Sequence, residues 1–169
     1  MDPITNIELQ LKEALLTIQS STTLPGGYTY YNDVSVVNID DECIAVERGD
    51  YPTFSIYLNP DEKVLSGRQR AYENELNIKL VGSVTLDNDM DIDAPRFEIN
   101  KKLSELWTDL KALFSFNYNL NCSCDINEII SMRRVYSNNN DQFRVGDIEV
   151  VLRIKYNQSR INPNLKCNL

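Results

Sequence analysis

Residues 75–84 read Glu75-Leu76-Asn77-Ile78-Lys79-Leu80-Val81-Gly82-Ser83-Val84. In an extended chain, Leu76, Ile78, Leu80, Gly82 and Val84 lie on one side, and Glu75, Asn77, Lys79, Val81 and Ser83 on the other. Side chains of a strand alternate between faces, so this stretch has one face for a core and one for water. A second segment repeats the pattern. Ile148, Val150, Leu152, Ile154 and Tyr156 alternate with Glu149, Val151, Arg153 and Lys155. A sheet with one apolar face needs a second layer to cover it. The segment between the two strands supplies one. Ile99, Leu103, Leu106, Leu110 and Leu113 step by four and three, with Phe97 and Trp107 flanking the stripe. That spacing predicts a helix over 95–114, started by Asp93-Ala94-Pro95, with Asp93 as its N-cap. Burying each of those five side chains contributes roughly 1.5–3 kcal/mol before ordering entropy is subtracted.

Working outward, Ile4, Ile7, Leu11, Leu15 and Ile18 predict an amphipathic N-terminal helix, started by an N-cap at Asp2-Pro3 or by a capping box at Thr5-x-x-Glu8, and ending near Ser20. A loop with Pro25-Gly26-Gly27 follows. Short strands are expected over 28–31, 34–39 and 43–48, and a half-buried one at Phe54, Ile56 and Leu58. Residues 59–74 read as a long polar connection containing Ser66-Gly67-Arg68-Gln69-Arg70; connections of that length tend to be functional or mobile, so the segment is marked as a contact element or else a disordered surface loop. A strand within 124–136 and the strand over 148–156 are joined by Ser137-Asn138-Asn139-Asn140-Asp141, a hairpin connection. The predicted fold is α+β: a mostly antiparallel β-sheet with two main helices packed on one face. It forms a single domain over 1–156, with a polar C-terminal tail over 157–169.

The chain has 169 residues, 17 Lys+Arg against 25 Asp+Glu, a net charge of −8, and no histidine. Without histidine there is no Ser-His-Asp or Cys-His catalysis and no His-ligated zinc. The acidic balance disfavours a general nucleic-acid or anionic-membrane binder, since those rely on Lys and Arg. Residues 1–62 hold eleven acids and two bases, whereas residues 121–169 hold seven bases and five acids. Such unevenness suits a subunit with unlike faces that meet in an assembly. No secretory leader is read at Met1-Asp2-Pro3, and no stretch reaches the roughly 18 apolar residues of a membrane span. The cysteines, Cys43, Cys122, Cys124 and Cys167, contain no CxxC and read as reduced thiols.

Asp87, Asp89, Asp91, Asp93 and Glu98 fall at calcium-loop positions, but Ile92 stands where the sharp turn requires glycine. The segment is read instead as an exposed acidic loop ahead of a helix N-terminus. Asp147 and Glu149 near Arg153 and Lys155 have a distant likeness to metal-dependent nuclease strands, and cross-strand charge pairing is the plainer reading. Gly26-Gly27 precedes tyrosines rather than a lysine and a helix, so no phosphate loop is present. Tyr28, Tyr30 and Tyr31 read as strand residues of the core. The expectation is a protein that is not an enzyme, with no catalytic residues, no metal and no cofactor.

The order of elements resembles the tail terminator, or tail completion, proteins in the necks of tailed bacteriophages. The likeness lies in the helix from Ile4 to Ile18 and Tyr51-Pro52-Thr53-Phe54-Ser55-Ile56-Tyr57. It continues through the strand Leu76 to Val84, the helix with Leu103-Ser104-Glu105-Leu106-Trp107, and Met132-Arg133-Arg134 beside the final strand. The resemblance implies a structural virion protein, assembled in the host cytoplasm, that forms a homo-hexameric ring on the tail tube. Its partners would be the tail tube protein, the head–tail connector or stopper and, in contractile tails, the sheath. DNA would pass the lumen without specific binding, and no membrane is involved. Within that reading Arg68 and Arg70 are the expected contact residues, and Asp87, Asp89 and Asp91 the exposed acidic loop. The alternative is a small acidic inhibitor or immunity-type module that binds one basic partner.

Overall fold

The computed structural model describes residues 2–39, 50–58, 63–67, 71–86, 95–120, 124–136 and 145–159. Its elements in chain order are α1 (Pro3–Leu16), β1 (Val36–Ile39), β2 (Thr53–Leu58), β3 (Lys63–Gly67), β4 (Ala71–Thr85), α2 (Pro95–Phe116), β5 (Asp125–Tyr136) and β6 (Val145–Ser159). The fold is α+β, with two helices on a mostly antiparallel sheet. The strand order is β1-β2-β4-β6-β5, and β3 pairs with β4 alone. Among the described strands only β1 and β2 pair in parallel.

The sheet is organised by β4 and β6, each 15 residues long. They pair from Ala71↔Ser159 to Thr85↔Val145 without a register shift. Their alternation carries through as read: Leu76, Ile78, Leu80, Val84, Ile148, Val150, Leu152, Ile154 and Tyr156 are all buried on one face. The buried stripes of α1 (Ile7, Leu11, Ala14, Leu15) and α2 (Ile99, Leu103, Leu106, Leu110, Leu113) join these residues in a single core. β2 adds Phe54 and Ile56, and β1 adds Val37.

Several boundaries differ from expectation, each for a local reason. α1 stops at Leu16 rather than near Ser20. The N–H and hydroxyl of Thr17 both donate to the Ala14 carbonyl, and Ile18 N–H to that of Leu15, a tightened last turn. Ile18 is still buried, just outside the helix. At the other end Asp2 caps α1, accepting from the N–H groups of Ile4 and Thr5 at 3.1 and 3.2 Å. Residues 28–31 form no strand. Apart from one bridge, Thr23↔Thr29, they belong to an irregular strap in which the N–H groups of Tyr31 and Asn32 are taken by the Asp109 side chain of α2. β1 begins at Val36 rather than 34, the N–H of Val34 being donated to Ile18. The expected strand over 43–48 lies outside the described residues.

The polar connection expected over 59–74 is mostly strand. β3 occupies 63–67 and β4 begins at Ala71, so the first half of β4 pairs with β3 and the second with β2. Polar composition argued against strand here, but a long partner outweighs weak propensity. Asn74 is 1% exposed and donates to Gln158 at 3.2 Å, across from the end of β6. β6 correspondingly runs through Ser159, past the expected limit at 156.

Two glycines set how closely α2 approaches the sheet. A Cβ at Gly82 would lie 2.6 Å from Phe54 Cε1 and 3.0 Å from Leu106 Cδ2. One at Gly146 would lie 2.5 Å from Ile99 Cγ2. Missing side chains on neighbouring strands therefore let the helix settle onto the backbone. Gly82→Ala and Gly146→Ala are each expected to lower the unfolding free energy by about 1–3 kcal/mol through overpacking. Urea unfolding checks this; wild-type stability in both would mean that α2 does not seat against these positions.

Candidate functional site: the open face and the strap beside it

No described element covers the other face of the sheet. It carries the odd-numbered residues of β4 and β6, and Glu149 is its centre. Glu149 lies directly across from Arg133 and from Val81 in register. It accepts from Lys79 Nζ at 2.8 Å and from Arg133 Nη2 at 2.8 Å. The Lys79 hydrogen bond holds its carboxyl below the usual value, Arg133 adds to this, and partial burial opposes both. A second knot forms further along, where Arg153 meets Glu128 at 2.7 Å and Glu75 at 3.7 Å. Near the other end Ser83 donates to Asp147 at 2.6 Å. Cross-strand pairs of this type stabilise a sheet modestly each. Together they give the face alternating sign, with Lys79, Arg133 and Arg153 each held against a carboxylate.

This arrangement accounts for Asp147 and Glu149. The two carboxylates share a face, but Asp147 is bound by a hydroxyl and Glu149 lies between two cations. Among the described residues no three His, Cys, Asp or Glu side chains converge as a metal-ligating group.

On the helix side, residues 17–35 cross α2 as a strap tied down by Asp109. Asp109 is fully buried. Its Oδ1 accepts from the Tyr28 hydroxyl at 2.6 Å and Tyr31 N–H at 3.0 Å. Its Oδ2 accepts from Asn32 N–H at 3.1 Å and Asn32 Nδ2 at 2.7 Å. Four donors meet the demand of a carboxylate removed from water. Burial, and then the Asp109 hydrogen bond, push the Tyr28 phenol well above its ordinary value. The strap is pinned again where Ser20 donates to Asp33 and Gln19 to Val34. Beside it lies a polar cavity of about 400 Å³ lined by Tyr31, Asp33, Tyr51, Thr85, Lys102 and Glu105. Lys102 spans its rim to the Thr85 carbonyl at 2.9 Å.

The expected contact residues Arg68 and Arg70, and the acidic residues Asp87, Asp89, Asp91 and Asp93, lie outside the described residues, as do Cys43, Cys122 and Cys167. Glu98 sits in the first turn of α2. Cys124 is buried at 3% exposure. Asp109 was not singled out from the sequence. Its only signal was an acid wedged between Leu106 and Leu110, next to the apolar stripe of α2. No protein-family model matches the chain, and no curated protein matches it.

Asp109→Ala leaves several buried donors unanswered and is expected to cost about 3 kcal/mol or more, with the strap released first. Hydrogen exchange at residues 28–34, alongside urea unfolding, checks both points; unchanged protection there would show that the strap is held by other contacts. Glu149 predicts a pH dependence of defined sign. Its depressed value stabilises the fold above pH 4.5, its ordinary value, and that contribution disappears as pH falls through the lower folded value. The stability difference between wild type and Glu149→Gln should therefore be largest near neutral pH and shrink below pH 4.5. A difference constant with pH would contradict the assignment.

Proposed function

We propose that the protein is a structural subunit of a phage neck, a tail terminator that caps the tail tube as a ring and joins it to the head connector. The observation that carries this reading is the open face. Among the described residues the helices cover one side of the sheet, and on the other side Lys79, Arg133 and Arg153 are each paired with a carboxylate. A face of this kind offers no run of unpaired cations to hold a polyanion, which suits a channel that DNA must leave freely. The net charge of −8 supports the same reading. The sheet also ends in two dissimilar edges, as a head-to-tail ring requires.

The purified protein is expected to form rings, alone or on the ends of tail tubes, in negative-stain images. A chain that stays monomeric and leaves tube ends bare would overturn the proposal. A salt-sensitive one-to-one complex with a basic protein would point instead to the inhibitor reading.

A further inference from the structure

The two outer strands of the long part of the sheet share an unusual feature. β3 pairs only with β4, and β5 only with β6, so each leaves one side without a described strand partner. β3 contains one bulge and β5 two; the β5 bulge between Ile126 and Glu128 leaves Asn127 as its extra residue, and the other bulge of β5 and that of β3 each leave a large aliphatic. In β3 the register shifts between Val64 and Ser66, leaving Leu65 as the extra residue. In β5 it shifts between Ile129 and Ser131, leaving Ile130. Bulges re-aim a side chain away from the regular pleat. Leu65 is 44% exposed and its neighbour Val64 63%; Ile130 is 41% exposed and Met132 37%. Exposed apolar edge strands invite pairing with another chain unless charge or cover protects them. Here the apolar residues stand at the edges themselves, on opposite sides of one sheet.

We infer that the β5 edge of one copy packs antiparallel on the β3 edge of the next, setting Ile130 and Met132 against Val64 and Leu65. Strand direction supports this. β3 opposes β4, β4 opposes β6 and β6 opposes β5, so β3 and β5 run in opposite directions. Copies related by rotation about an axis along the strands therefore meet with antiparallel edges. The contact joins two different surfaces, so it propagates head to tail and closes into a ring when the rotation allows.

The inference rests on the ring reading above and specifies which surfaces build the ring. Its test uses Leu65→Asp and Ile130→Asp in the full chain, followed by sedimentation velocity and zero-length cross-linking. Wild type should assemble, and each variant alone should lose assembly. An equimolar mixture should give a one-to-one dimer, because the intact β5 edge of the Leu65 variant meets the intact β3 edge of the Ile130 variant. Both positions are exposed, and circular dichroism checks that the fold is kept; Leu65→Ser and Ile130→Ser replace any variant that unfolds. Rings formed equally by wild type and both variants would overturn this interface while leaving the ring reading intact. Variants that lose assembly but do not complement would likewise overturn the pairing. A wild-type chain that remains monomeric would remove the ring reading, and this inference with it.

Discussion

The rest of the molecule depends on the uninterrupted pairing of β4 with β6. Fifteen-residue strands held in one register give a sheet long enough to have two differently packed halves. One half, around Gly82 and Gly146, receives α2 at close range. The other extends past it, pairing β3 with the start of β4. Register matters because side chains alternate with a period of two. A slip of one residue would send Leu80, Val150 and Leu152 to water and bring Lys79 and Glu149 into the core.

The two faces of this ladder solve different problems. The covered face is an apolar core sealed by two helices and by the strap over α2. Asp109 lets that strap be irregular: it answers hydrogen-bond donors that a strand would have paired in a sheet. The open face is stabilised differently, by Glu149 between Lys79 and Arg133 and by Arg153 between Glu128 and Glu75. Pairing of this kind leaves a surface polar without leaving it strongly charged, which is useful where the surface must face a partner or a passing polyanion.

Charge asymmetry first read from composition acquires a narrower meaning in the fold. The acid-rich first third contributes α1, the strap, β1 and β2, whereas Arg133, Arg134 and Arg153 stand on β5 and β6 at the other end of the strand order. Part of that basic excess is consumed internally: Arg133 by Glu149, and Arg134 by Ser104 and Asn100 of α2. Net charge by segment is therefore a poor guide to what a partner meets. The distribution along the two edges of the sheet is a better one.

Alternation and helical spacing determined the two main strands, the helix α2 and the two-layer α+β architecture, because each reports a one-sided burial that only one geometry satisfies. They could not determine where polar segments go. Residues 63–67 and 71–74 become strand because β4 and β6 offer long partners, and the strap at 28–32 stays irregular where Asp109 takes the Tyr31 and Asn32 N–H groups. Asp109 itself looked like any acid beside a helix stripe. None of the bulges in β3 and β5 was legible, since a bulge is a mismatch between two strands and exists only once both are paired. What the sequence determined by itself was which faces are apolar; which edges, knots and straps those faces leave free was decided by the partners that tertiary structure brings together.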